Sequence, residues 1–348
     1  MASSVQNSDP VSPKTEKSRL LDGHPAEPEI EDARVVANRK PDTLFGKLWD
    51  IVSLAHLITE SNQKAYVQPV TLFAMLSIAS GGVTSNPDPG WKDVALSFPR
   101  VLFYIWLYVL YFDCSNQKDP EAVKEDKINK PWRAIPSGRL SIEGAERWYK
   151  AAICTLLAVS GLWLGGFPEA VAFMVETWAY DYASGADYWW SKNIINTMFY
   201  ATGQLGGTRV AAESLPGTTM VRAGYEWCGM LALEILTTIQ IQDIKDEEGD
   251  AARGRRTMPI VIGQKPTRWI TSLAISFWSV ACPLYWSNGN LHGGFILPLL
   301  IGGMVVIRTL FCRSVPADRI TWNIYTLMWL PALYATPLLS RYNLLSLY

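Results

Sequence analysis

Asp243, Asp246 and Asp250 stand three and four residues apart in the stretch IQDIKDEEGDAARGRRTMP, residues 241–259. On a helix that spacing puts all three carboxylates on one stripe. Such a stripe repels itself unless a cation sits on it, and Lys245, Arg253, Arg255 and Arg256 lie in the same segment. A second stretch, YFDCSNQKDPEAVKEDKINKPWRAIPSGRLS at 111–141, has the same mixture. There Asp113, Asn116 and Gln117 sit at helical spacing, Glu125 and Asp126 precede Asn129, and Lys130, Arg133 and Arg139 follow. Carboxylate oxygens suit Mg²⁺, which keeps room for water and substrate phosphate among its ligands. Lys and Arg supply the matching contacts to phosphate oxygens. Two acidic rows facing each other, with Mg²⁺ and a diphosphate between them, would relieve the repulsion. The same groups would stabilise charge on a departing diphosphate as a C–O bond breaks. One row alone reads equally well as a solvated helix end; two rows on one side of a bundle do not.

The elements that must position these rows are apolar. The chain has 348 residues, 49% hydrophobic and 12% aromatic, with 15 Trp, 15 Tyr and a formal net charge of -1. Its hydrophobic residues come in blocks. Nine stretches approach the length needed to cross about 30 Å of hydrocarbon: residues 66–84, 97–112, 145–166, 168–182, 193–212, 225–242, 268–287, 294–312 and 321–340. Glu176, Asn193, Asn196 and Glu234 fall within them and are expected to face a protein interior, since a charge at mid-bilayer is costly. Residues 45–62 read as an amphipathic helix leading into the first stretch. Residues 1–42, rich in Pro, Ser, Glu and Lys, are expected to form a disordered polar tail ahead of a membrane domain at 43–348. No signal-peptide pattern is present. The five cysteines are scattered, which favours packing over disulfides or zinc.

Lys and Arg concentrate in the loops after the second and sixth stretches, and four stretches separate the two loops. Parity therefore puts both on one side, and the positive-inside tendency makes that side the cytosol. Basic topogenic loops would explain the Lys and Arg but not the carboxylates among them. A transporter would instead distribute charge through its spans and show repeated, broken helices near mid-membrane. The apolar, Trp- and Tyr-rich stretches suit an isoprenoid tail, and aromatic faces stabilise a carbocation.

NKPWRAIPSGRLS (129–141) and DIKDEEGDAARGRRTMPIVIG (243–263) resemble the two signature loops of the UbiA superfamily of intramembrane prenyltransferases. With the nine-stretch pattern, the resemblance spans about residues 45–345. It implies an all-α, multi-span transmembrane bundle of about nine spans, with a central cavity capped by cytosolic loops. It also implies Mg²⁺-dependent ionisation of an isoprenyl diphosphate. By position, Asp243, Asp246 and Asp250 match the second metal-binding row, and Asp126 the last aspartate of the first. Lys130, Arg133 and Arg139 match the basic part of the first loop; Lys245, Arg255 and Arg256 match that of the second. The first row departs from the usual N-D-x-x-D-x-x-x-D: here D-x-x-N-Q stands at 113–117, so Asp113 and Asn116 both remain candidate metal contacts. That loop is similar to a fungal branch containing membrane-bound sesquiterpene cyclases of the bergamotene-forming type.

The expected reaction is therefore ionisation of farnesyl diphosphate and cyclisation to a sesquiterpene in fungal secondary metabolism. The alternative is transfer of the prenyl group to an aromatic or other small acceptor. The expected partners are the isoprenyl diphosphate and the lipid membrane, with neither nucleic acid nor a protein partner, and the expected location is the endoplasmic reticulum. Asn193, Asn196 and Tyr200 share a helix face; Asn193 reads either as a diphosphate contact or, slightly ahead, as an interhelical hydrogen bond. Glu176, Tyr180 and Asp181 suit the cavity or local packing about equally. Gly203, Gly206 and Gly207 are expected to permit close helix contact. His24, His56 and His292 are given no catalytic role.

Overall fold

The computed structural model describes residues 43–287 and 293–341. The tail expected at 1–42 and His292 lie outside the described residues. By contacts the chain divides into Met1–Asp50 and Ile51–Tyr348. Of the first unit, the described part is the exposed start of helix α1 (Leu44–Asn62). Everything below concerns the second unit.

Among the described residues the chain is helical, with only isolated bridges at Thr84–Met220 and Tyr188–Arg256. Helix α1 runs through a wider π turn at Gln63–Val67 into α2 (Gln68–Ser80). Then follow α3 (Trp91–Gln117), α4 (Pro120–Asn129), α5 (Ile142–Val159), α6 (Phe167–Tyr182), α7 (Trp189–Glu213) and α8 (Arg222–Thr238). A 3-10 segment, Ile239–Lys245, leads to the short α9 (Glu247–Ala252) and α10 (Met258–Ile262). Helices α11 (Gln264–Trp286), α12 (Ile296–Phe311) and α13 (Val315–Ile324) follow, and a π turn at Tyr325–Trp329 leads to the short α14 (Leu330–Tyr334) and α15 (Thr336–Arg341), which pack back on α2.

Helix α7 is the hub, packing on α2, α3, α6 and α8. Its glycines let neighbours come close: a Cβ on Gly203 would lie 2.1 Å from the Tyr66 hydroxyl, and one on Gly207 3.3 Å from the Ala74 methyl. Local signals set several helix starts. Asp119 caps α4 by accepting from the Glu121 amide at 3.2 Å, with Pro120 in the first turn. Ser141 caps α5 by accepting from the Gly144 amide at 3.0 Å.

The polarity of the bundle is turned inside out. Asn193, Glu176 and Glu234 are buried, as the cost of placing them in lipid requires, and Asn196 is half-buried. Outward, α11 carries Trp269, Leu273, Phe277, Val280 and Leu284 along one exposed stripe, with Leu273 and Phe277 64% and 61% exposed. Helix α12 does the same with Leu300, Ile307 and Phe311. Contiguous apolar surface of this kind is foreign to a water-solvated monomer.

The nine anticipated stretches all contain helix. Among the described residues only Trp91–Gln117 is, by itself, long and apolar enough to cross a membrane. Several of the others are shorter than that helix, and α7 is diluted by Asn193 and Asn196.

Arginine at the centre of a lipid-facing stripe costs about 2.5 to 3.5 kcal/mol on insertion scales. Leu273→Arg and Phe277→Arg are therefore expected to reduce the protein recovered in the membrane fraction, read by immunoblot. Recovery equal to the parent would show that this stripe does not meet lipid.

Candidate functional site

The acidic row of the second loop does not lie on one α-helix. The Thr238 hydroxyl bonds back to the Glu234 carbonyl at 2.8 Å, a contact that competes with the helical ladder. From Ile239 the chain tightens into 3-10 geometry, and at Asp246 (φ -107, ψ 8) it breaks before α9 begins. The stripe expected from the three-and-four spacing is thereby corrected. Asp243 and Asp250 turn inward together, while Asp246 pairs with the adjacent Lys245. The repulsion between Asp243 and Asp250 is relieved here by a protein cation. Lys192, from the first turn of α7, reaches Asp243 at 2.6 Å and Asp250 at 3.4 Å.

Helix α3 ends in the first row. Asp113 is fully buried and accepts from Asn62 at 2.8 Å and from Arg133 at 3.2 Å. The other arm of Arg133 holds Asp126 at 2.8 Å, and its Nε donates to Ser61 at 3.1 Å. Asn116 donates to Asp181 at 3.0 Å. The two loops are locked to each other. Arg255 bridges Asp250 (3.2 Å) and Glu125 (2.9 Å), while Arg253 bridges Glu125 (3.0 Å) and Asp119 (2.8 Å). Asn129 donates to the Asp246 carbonyl at 3.3 Å, and a Cβ on Gly249 would come within 2.1 Å of the Asn129 amide. Only glycine lets α9 lie this close to α4.

Charge compensation sets the protonation of the loops. Burial works to raise the Glu125 carboxyl, but Arg255, Lys130, Lys192 and Arg253 outweigh it and hold it below its ordinary value. Asp246 is half-buried and likewise held below its ordinary value by Lys245 and Lys130. Burial, with Arg133 beside it, lowers the Lys130 ammonium. Asp243 stays above its ordinary value because burial outweighs Lys192.

Of the expected site residues, Asp113, Asp126, Lys130, Arg133, Asp243, Asp246, Lys245, Asp250 and Arg255 share this charged layer. Arg139 and Arg256 are exposed on their loops and make no ion pair among the described residues. Asn193 donates to Gln240 at 3.2 Å, the interhelical bond, while its own carbonyl oxygen has no partner among the described residues. Lys192 joins the site without having been singled out, and Asp181, expected either at the cavity or in local packing, accepts from Asn116 at its edge. Lys192 is one lysine in WWSKNIIN, and its only signal is a buried-looking cation at a helix start.

Among the described residues no three acidic, Cys or His side chains already converge on one point. The donor set nonetheless fits a hard cation. Asp113 and Asp243 each keep one buried carboxylate oxygen with no hydrogen-bond partner, and Asp181 does the same. An acceptor-only oxygen left bare in the interior is expensive unless a donor or metal completes it.

Just inside this layer lies a small cavity of about 60 Å³, lined by Asn62, Gln242 and Asn196 toward the charges and by Tyr66, Phe173 and Tyr200 within. Phe112, Phe173 and Phe199 form a chain of ring contacts along its wall, backed by Tyr180, with centroids 4.9–5.8 Å apart.

A cation-rich layer next to a ring-lined hollow in a helical bundle suits a ligand that joins an anionic head to a hydrocarbon tail. Comparison narrows the class: residues 66–333 match the model of the UbiA prenyltransferase family, and the chain belongs to that family. Its members are integral membrane proteins, and this chain is an enzyme of their terpene-cyclase or prenyltransferase kind.

The chain is 32% identical over 231 residues to the diterpene cyclase eriG of Hericium erinaceus, covering 64% of this chain and 70% of the relative. To the polyprenyl transferase eriF of the same organism it is 34% identical over 235 residues, covering 65% and 77%. The fumagillin beta-trans-bergamotene synthase of Aspergillus fumigatus is 26% identical, covering 53% and 62%. The fold is similar to a solved digeranylgeranylglyceryl phosphate synthase (TM-score 0.54, 16% identity, 82% of this chain and 98% of that one). It is also similar to a UbiA homologue from Archaeoglobus fulgidus bound to GPP and Mg²⁺ (TM-score 0.50, 13% identity, 81% and 99%).

Lys192→Met removes the shared counter-ion of Asp243 and Asp250, and breaking a buried pair costs about 3 to 5 kcal/mol. The purified variant is expected to melt at lower temperature than the parent without divalent cations, and Mg²⁺ is expected to close part of that gap. Equal melting in both conditions would show that Lys192 does not carry the pairing.

Proposed function

We propose that the enzyme ionises farnesyl diphosphate in a membrane-embedded site and closes the resulting cation into a sesquiterpene. The observation that carries this reading is the position of the two bare carboxylate oxygens, on Asp113 and Asp243, within a cation-rich layer next to an aromatic cavity. Asp113, Asp126, Asp243 and Asp250 would hold Mg²⁺, with Asn116 and Asp246 at the margin of the set. When bound, Mg²⁺ supplies positive charge that stabilises the departing diphosphate. That the Archaeoglobus fulgidus homologue binds GPP and Mg²⁺ supports this assignment.

The chain's own residues do the rest. Arg133, Lys192 and Arg255 are each shared between two carboxylates, so each has donors that a diphosphate can recruit. Lys130 and Lys245 add charge beside Asp246, and Arg139 and Arg256, on the exposed parts of the loops, are available to meet an entering headgroup. Tyr66, Phe112, Phe173, Phe199 and Tyr200 present ring faces to an allylic cation and keep water from it. The basic loops favour a cytosolic orientation, with insertion in the endoplasmic reticulum.

Transfer to a small acceptor is the second reading, favoured by the likeness to eriF. Membranes containing the protein, given farnesyl diphosphate and Mg²⁺ without an acceptor, are expected to release diphosphate and a cyclic hydrocarbon. Asp243→Asn and Asp113→Asn are each expected to slow diphosphate release by about a hundredfold or more. A prenylated product formed only when a phenolic acceptor is added would assign the enzyme to transfer. Full activity in both variants would remove these carboxylates from the site.

A further inference from the structure

Tyr66 and Tyr200 hold each other's helices in a reciprocal clasp. The Tyr66 hydroxyl donates to the Phe199 carbonyl at 2.6 Å, and the Tyr200 hydroxyl donates to the Ala65 carbonyl. Each tyrosine thus bonds the residue just before the other, and the two rings meet edge to face at 5.3 Å. Ala65 lies in the π turn Gln63–Val67, where the ladder shifts register; such turns recur at functional sites.

The clasp is also the inner end of the cavity. Asn62, Asn196 and Asp113 lie at the charged layer, and Tyr66, Tyr200 and Val109 stand four residues from them on α1–α2, α7 and α3. Four residues are one turn, about 6 Å of helix. Beyond the clasp the bundle is filled by Val70, Phe73, Tyr104 and Tyr108, all fully buried. A cavity of about 60 Å³ holds a handful of water molecules, not a prenyl chain. A prenyl chain held with its head at the carboxylates and its tail inward would displace the clasp.

We propose that the Tyr66–Tyr200 clasp is the floor of the prenyl pocket and determines the longest isoprenyl chain the enzyme accepts. This rests on the proposed reaction with an isoprenyl diphosphate, but it holds whether the prenyl cation cyclises or is transferred. Gly203 belongs to the device, because any side chain there would meet the Tyr66 hydroxyl.

The experiment measures diphosphate release from C10, C15 and C20 isoprenyl diphosphates by the full-length protein in membranes, with Mg²⁺. Tyr200→Ala removes the floor; it is expected to raise the C20-to-C15 ratio of kcat/KM by about tenfold, the scale on which pockets sort chain lengths. Tyr66→Phe and Tyr200→Phe keep the rings and lose one hydroxyl each. They are expected to raise the same ratio by about fivefold, the worth of a net hydrogen bond, and they serve if the alanine variant does not fold. An unchanged ratio in the Phe variants, with release still proceeding, would overturn the clasp as the determinant. No release by the parent from any of the three substrates would instead overturn the proposed reaction.

Discussion

Buried carboxylates cannot be left alone, and the cap of this bundle is organised around that constraint. Asp113, Asp126, Asp243, Asp250 and Glu125 are all buried, and each is held by a cation that serves a second carboxylate as well. Arg133 joins α3 to α4, Lys192 joins α7 to the segment between α8 and α9, and Arg255 joins the second loop to the first. An unpaired charge in such a place costs several kcal/mol. The pairs are therefore worth more as a specification of how the loops meet than as net stability. The same sharing makes the layer exchangeable: in the proposed reaction, the carboxylates pass to the metal and the cations to the diphosphate without any charge being left bare.

The rest of the bundle follows the opposite rule on its two sides. Leu273 and Phe277 on α11 and Leu300, Ile307 and Phe311 on α12 are exposed, whereas inward-facing Glu176 and Glu234 are hydrogen-bonded to Thr202, Thr238 and Tyr325. A helix can carry such residues through hydrocarbon only if its backbone is satisfied internally and its polar side chains face protein. Together with the shortness of several helices, this leaves a single helix, Trp91–Gln117, that apolarity alone picks out among the described residues. The helices that build the site lose hydropathy to the residues that line it.

Much of this was legible in the sequence because charge and hydropathy are written residue by residue. The two acidic, basic-flanked loops and their common side followed from composition and parity. Their direct locking, through Arg253 and Arg255 to Glu125, needed the fold, since no spacing relates residues 128 or 130 positions apart. Lys192 was missed for the same reason: its partners are more than fifty residues away. The stripe expected for Asp243, Asp246 and Asp250 assumed an unbroken helix. Glycine at 203 was readable as close approach, but not the tyrosine hydroxyl that it approaches; Gly249, set against the Asn129 amide, was not singled out.

The charged layer cannot by itself decide between cyclisation and transfer, because ionising the diphosphate is common to both. The likeness to a cyclase (32%) and to a transferase (34%) is correspondingly even. What separates the outcomes is whether a second molecule reaches the cation before the chain's own double bonds do. Here the wall beside the carboxylates is built of rings already in contact, and the hollow they enclose is about 60 Å³. Opening it for one prenyl chain requires displacing the tyrosine clasp; opening it for a chain and an aromatic acceptor together would require parting the helices that the clasp joins. In the proposed reaction, the room left beside the cation therefore decides between ring closure and transfer.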